Sequence, residues 1–168
     1  VDLWSVIYGI KAFVPLIKQA GEGHIINTAS TAGLQASSGI APYNVAKFGV
    51  VAITETLRKE LEADDSSVSA SVLCPGAINT QIVQSKRNRS ALSASDHKSS
   101  AQEHRFEKHA GELLLQQGKD PSEVADRVIQ AIIKNDFWIL THPKWEKVLK
   151  ERVAALARDN SLHEGFGG

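Results

Sequence analysis

The sequence predicts an α/β protein with a doubly wound parallel sheet. Three observations predict it: short β-branched runs alternate with stretches of helical periodicity, the alternation continues into the last third of the chain, and the strand runs end in small-residue loops or Pro-Gly turns. Strands separated by helices call for right-handed crossovers, which bring like strand ends to one edge of the sheet. The first helix is predicted over 1–20, where Leu3, Ile7, Ile10, Val14 and Ile17 recur at helical spacing, Pro15 breaks the helix near its end, and Gly21-Glu22-Gly23 stops it. His24 to Ser30 reads as a strand, and Thr31 to Pro42, small and polar with two glycines, as a loop. Helical periodicity returns from Tyr43 to Ala63 through Phe48, Ile53, Leu57 and Leu61, and Val68 to Cys74 is a second strand ended by Pro75-Gly76. Asn79 to Lys119, rich in Ser, Lys, Arg, His and Gln, predicts a mobile excursion. Asp120-Pro121-Ser122-Glu123 then supplies an N-cap, a proline at the first helical position and a glutamate at the third, starting a helix that reaches Lys134. Phe137 to Thr141 is a third strand and Pro143 to Arg158 a strongly charged final helix.

With 168 residues the chain is long enough to bury a core, and its length suits one domain. Basic and acidic residues balance at 19 each, which removes the long-range field that nucleic acid or an anionic membrane would require. The expected partner is a small molecule or another copy of the chain. The single cysteine, Cys74, cannot form an internal disulfide, and the first residues do not resemble a secretory signal, so the expected compartment is the cytoplasm. Lys11, Lys18 and Glu22 interrupt the most hydrophobic stretch before it reaches the roughly 20 residues that span a bilayer. The chain has no methionine and opens on Val1-Asp2-Leu3-Trp4, already inside an apolar-periodic pattern without a cap, which reads as a piece of a longer protein.

The most informative residues are Tyr43-Asn44-Val45-Ala46-Lys47. Residues four apart on a helix project from one face, so this spacing places an ammonium near a phenol. A phenol is a weak acid, with an ordinary pKa of about 10, and a close cation favours its anion. Alone, such a pair is common on helix surfaces; its context sharpens it. Ser30 ends a strand 13 residues before Tyr43, at the edge where open α/β sheets bind ligands, and a hydroxyl there can hold a substrate oxygen beside the phenol. Pro75-Gly76 ends the next strand at the same edge, where a residue without a side chain lets a flat ring approach the backbone.

Asn27-Thr28-Ala29-Ser30-Thr31-Ala32-Gly33, Tyr43-Asn44-Val45-Ala46-Lys47 and Pro75-Gly76-Ala77-Ile78-Asn79-Thr80 together resemble the motifs of the short-chain dehydrogenase/reductase family, in its order and spacing. The resemblance covers nearly all of the chain, weakening in 81–119 and the last ten residues. It implies a Rossmann-like domain, of which 1–168 is the C-terminal part, with 79–119 as a substrate lid. It further implies hydride transfer between NAD or NADP and a secondary alcohol or carbonyl substrate. Tyr43 would be the acid/base, Lys47 would favour the phenolate and bind the nicotinamide ribose, and Ser30 would orient the substrate oxygen. Pro75, Gly76 and Ile78, with the Thr80 hydroxyl, would hold the carboxamide and pyrophosphate side of the cofactor, while Asn27 supports the site from the preceding strand.

Asp2 stands where the family usually has an asparagine whose backbone carbonyl holds a water linked to the lysine; an aspartate can keep that carbonyl, and its carboxylate can also perturb Lys47. No G-x-G-x-x-G turn occurs, so the family's pyrophosphate cradle is expected upstream of Val1, and the position that separates NAD from NADP with it. His97, His104 and His109 lack the close pairing that zinc sites prefer, so no metal is expected. The basic run Lys86-Arg87-Asn88-Arg89 reads as solvated, and Ile82, Val83 and Leu113 to Leu115 read either as lid contacts or as helix packing. In the family, helices corresponding to 1–20 and 43–63 pair across a two-fold axis, implying a homodimer or homotetramer; Ala46, Gly49 and Ala52 are small enough for that approach or for a contact within one chain. The alternative function is a non-catalytic nucleotide-sensing or scaffolding relative, which a replaced tyrosine or lysine would have favoured.

Overall fold

The computed structural model describes residues 2–82, 84, 108, 111, 112, 114 and 116–158. Along the chain run α1 (Trp4–Ala20), β1 (Gly23–Thr28), a short 3-10 turn (Thr31–Gly33), α2 (Ala41–Ala63), β2 (Val68–Cys74), α3 (Pro121–Lys134), β3 (Trp138–Leu140) and α4 (Lys144–Arg158). The three strands form a parallel sheet in the order β1-β2-β3, as the alternation predicted. Thr28 pairs with Leu73 and Leu73 with Ile139, so the C-terminal ends of all three strands reach one edge. Contacts divide the chain into two compact units, one of residues 1–76 and 126–168, the other of 77–125.

The first unit holds the sheet and its core. β2 lies between its neighbours and is almost wholly buried, which suits its run of small and branched residues. Toward the C-terminal edge, Val50 and Val51 of α2 pack with Ala29, Leu34, Val72 and Cys74, and Leu3 and Val6 of the first helical turns lean on them. At the other end Leu57 and Leu61 meet Val68 and Ala70, backed by Ile10, Val14 and Ile17 of α1. The apolar stripe read along the first helix is therefore the face that packs.

Pro15 does not break α1, which continues to Ala20. Proline removes the N–H that would bond the carbonyl of Lys11, but both residues are exposed, so water can satisfy that carbonyl. Other boundaries shift less: β1 stops at Thr28 rather than Ser30, α2 starts at Ala41, and β3 is confined to Trp138–Leu140. β2 and α3 have the predicted limits. At the start of α3, Asp120 Oδ1 accepts from the Ser122 N–H at 2.8 Å and from its hydroxyl at 2.6 Å, the expected cap. The basic run, His97, His104, His109, Val83, Leu113, Leu115 and most of the proposed lid lie outside the described residues.

Candidate functional site

Ser30 sits where the strand gives way to a turn. The Ala29 N–H still donates to Leu73 O at 2.8 Å, and then Ser30, in extended backbone, accepts from the Ala32 N–H at 3.2 Å and caps the 3-10 turn. The Thr31 N–H donates to Pro75 O at 3.0 Å, joining this turn to the end of β2. Gly33 lets the turn lie against α2 at the level of Lys47: a Cβ there would be 2.5 Å from the Lys47 carbonyl oxygen. The glycine of the Asn27–Gly33 motif is thus a close-approach residue.

Tyr43 and Lys47 project from the first turns of α2, which Pro42 opens. The buried Asn44 between them donates from Nδ2 to Ser37 O at 2.7 Å, tying the preceding loop to the helix. Lys47 Nζ lies 5.6 Å from the centroid of the Tyr43 ring and donates to Thr28 O at 3.2 Å. The i, i+4 spacing therefore brings ammonium and phenol together, and that contact ties the ammonium to the last residue of β1, two positions before Ser30. Lower on the same helix, Asn27 Nδ2 donates to Thr54 Oγ1 at 3.0 Å, while the Thr54 hydroxyl donates to Val50 O at 2.6 Å, so β1 and α2 are joined through buried polar groups as well as apolar ones. Asp2, Ser5, Gly9, Asn27, Thr28 and Lys47 line an open cleft of about 370 Å³, which places the residue standing for the family's asparagine beside the lysine's cleft.

Cys74 ends β2 fully buried. Burial pushes its thiol up to about 12, against smaller opposing effects of the Ser30 backbone N–H and the Lys47 charge. A thiol held protonated is a packing group and not a nucleophile.

Beyond it, the Gly76 N–H donates to Thr141 Oγ1 at 3.0 Å. The space a Gly76 side chain would occupy is filled by the imidazole of His142, 2.6 Å from the position of a Cβ. The flat ring that lies against this glycine is thus supplied by the protein itself. His142 was not among the residues the sequence singled out; the signal for it is a polar Thr-His pair directly after a strand, at the edge where Ser30 and Pro75 already stand. Ser30, Tyr43, Lys47, Pro75 and Gly76 all belong to the first unit. Ile78 and Thr80 belong to the 77–125 unit, where Ile78 forms a parallel bridge with Lys119 and Thr80 is exposed. Among the described residues no group of His, Cys, Asp and Glu could hold a metal ion, and no helix is long and apolar enough to cross a membrane. The small residues of α2 have one assigned use: a Cβ on Gly49 would meet Leu3 of the same chain at 2.9 Å.

A family model described as short chain dehydrogenase matches residues 1–91. A CLA biosynthesis dehydrogenase/reductase of Lactiplantibacillus plantarum is 29% identical over 164 residues, which are 96% of this chain and 57% of that protein. A candidate oxidoreductase of Mycobacterium tuberculosis, SadH, is 36% identical over 115 residues, 67% of this chain and 41% of that protein. Among solved structures, a short chain dehydrogenase/reductase of Burkholderia phymatum, crystallised in complex with NAD, superposes with a TM-score of 0.93 at 27% identity, covering 100% of this chain and 60% of that one. The chain thus spans about three-fifths of the length of the relatives that match it along its whole extent.

Proposed function

The chain belongs to the short-chain dehydrogenase family, and from that membership we propose that its protein transfers a hydride between NAD or NADP and a secondary alcohol or carbonyl. The observation that carries the proposal is the contact of Lys47 with both the Tyr43 ring and the Thr28 carbonyl, two residues before Ser30. Tyr43 gives a proton to the carbonyl oxygen in reduction and takes one from the hydroxyl in oxidation. Lys47 holds its ammonium beside the phenol ring and is placed to bind the nicotinamide ribose. Ser30 donates its hydroxyl proton to the substrate oxygen and so orients it.

The donor set suits a nicotinamide dinucleotide. An ammonium carries three N–H donors, and Lys47 directs one to Thr28 O, leaving others for ribose hydroxyls. Pro75, Gly76 and Ile78, with the Thr80 hydroxyl, would hold the carboxamide and pyrophosphate side. When bound, the dinucleotide supplies or accepts the hydride. We also read the protein as a cytoplasmic homodimer or homotetramer. The outer side of α1, where Trp4, Tyr8, Phe13 and Leu16 are exposed, supports the oligomer.

The test is the absorbance of reduced nicotinamide when the full-length protein meets NAD or NADP with a panel of secondary alcohols and ketones. The expected result is turnover in the unvaried protein and a drop of about 10²–10⁴-fold in Tyr43→Phe, the span of general acid–base catalysis. Undiminished turnover in Tyr43→Phe would remove the tyrosine from the mechanism. Dinucleotide binding without turnover on a widened panel would favour the non-catalytic alternative.

A further inference from the structure

The Pro75-Gly76 turn is gripped from two sides. Pro75 O accepts from the Thr31 N–H, next to Ser30, and the Gly76 N–H donates to Thr141 Oγ1, each at 3.0 Å. Thr141 is fully buried, and its hydroxyl shares a 2.8 Å hydrogen bond with His142 Nδ1. The imidazole then turns back onto Gly76, where a Cβ would lie 2.6 Å from Nδ1, 2.9 Å from Cε1 and 3.2 Å from Cγ. The positive-φ glycines among the described residues are Gly21 and Gly39, so the backbone conformation at Gly76 does not demand glycine. What bars a side chain there is the imidazole.

We infer that His142, acting with Thr141, is a positioning residue that fixes the Pro75-Gly76 turn and, through it, the nicotinamide end of a bound dinucleotide. The inference rests on the functional reading above, in which this turn holds the carboxamide. The chemistry of the pair fits the task. An apolar side chain could fill the space over Gly76 but could not bond the Thr141 hydroxyl, and a smaller polar one could bond the hydroxyl but not fill the space. The imidazole does both. Removing it leaves a void into which the turn can relax, and the shift falls on the carboxamide, which the backbone of the turn meets in this reading, rather than on the pyrophosphate, which is left to the Thr80 hydroxyl.

The experiment compares two probes on the full-length protein: the reduced dinucleotide, and ADP-ribose (with its 2′-phosphate if NADP is preferred), which lacks the nicotinamide. His142→Ala is expected to raise the Kd for the reduced dinucleotide about tenfold, the effect of roughly one lost hydrogen bond, while leaving the ADP-ribose Kd within about twofold. His142→Asn keeps a polar atom at the Nδ1 position and is expected to recover part of the loss; it carries the same comparison should His142→Ala fail to fold. Gly76→Ala alone is expected to weaken the reduced dinucleotide through its clash with the ring, and Gly76→Ala/His142→Ala to bind more tightly than Gly76→Ala, since the methyl group then has room. Equal weakening of both probes, unchanged dinucleotide affinity in a folded His142 variant, or purely additive losses in the double variant would each overturn the inference. Failure of the unvaried protein to bind either dinucleotide would overturn the functional reading and this inference together, which separates the two failures.

Discussion

Lys47 shows how a single side chain is located by its surroundings rather than by its own preference. Its four-carbon stem leaves the ammonium free to sample water, yet the Thr28 carbonyl at 3.2 Å and the Tyr43 ring hold it at the sheet edge. Cys74, on the end of the neighbouring strand, illustrates the opposite outcome, since burial holds the thiol neutral with a value pushed up to about 12. The thiolate is the reactive form, so iodoacetamide at pH 8 is expected to leave Cys74 unmodified in the native protein and to alkylate it once the protein is unfolded in guanidinium; mass spectrometry reads both. Rapid native alkylation would contradict the burial. The meeting of Lys47 with the Tyr43 ring and the place of Ser30 just past β1 were legible in the sequence because spacing along a helix is local and the strand before them names the edge. His142 was not, because the Thr-His pair after the strand marks a place but not a partner: Thr141, its neighbour, bonds Gly76 across 65 residues.

The elements hold the site through two junctions. One is the 3-10 turn, which lies so close to α2 that a methyl group on Gly33 would press on the Lys47 carbonyl at 2.5 Å, backbone against backbone. Neither side can yield cheaply, so Gly33→Ala is expected to cost about 1–3 kcal/mol, the range for overpacking, read as a lowered urea midpoint at unchanged slope. The other is the buried pair Asn27 and Thr54. Thr54→Val keeps the shape but leaves the Asn27 amide N–H without its acceptor, and the expected cost is about 1–3 kcal/mol in the same assay; a neutral result would mean that the amide finds another partner. Element limits were readable where punctuation is strong, as at Pro75-Gly76 after β2 and Asp120-Pro121 before α3. They were misread at Pro15, because whether the carbonyl that proline frees can reach water is decided by what α1 packs against. Gly49 followed the same logic: its smallness was visible, but only packing shows that Leu3 of the same chain uses it.

At the scale of the whole sheet, a second polar network lies at the end away from Tyr43. His24 of β1 meets Ser71 of β2 at 2.6 Å, and the Ser71 hydroxyl donates to the carbonyl of Asp136, just before β3, at 2.6 Å. Because the serine proton is committed to that carbonyl, His24 Nε2 must be the donor to Ser71, so the neutral ring is already satisfied. Arg58 of α2 reaches the same end, bonding Ser69 at 2.6 Å, the Ala70 carbonyl at 3.2 Å and Asn135 at 2.9 Å, and pairing with Glu62. Burial first, and the Arg58 charge second, hold His24 below the ordinary imidazole value of about 6.5. The direction sets the pH dependence. As pH falls below about 6.5, the unfolded chain takes up a proton that folded His24 refuses, so the stability this residue contributes is full above that value and is lost as pH descends toward the lowered one. This window is separate from that of Asp120 and Glu146, whose values are held below the usual carboxylate range and whose contributions fade only in stronger acid. Urea unfolding at pH 7.5 and at pH 5.5 is therefore expected to show a loss of stability across the interval, and His24→Gln, which can still donate to Ser71 but cannot charge, is expected to flatten it. An equal loss in both proteins would assign the acid sensitivity to another group and leave His24 as a strand-joining hydrogen bond alone.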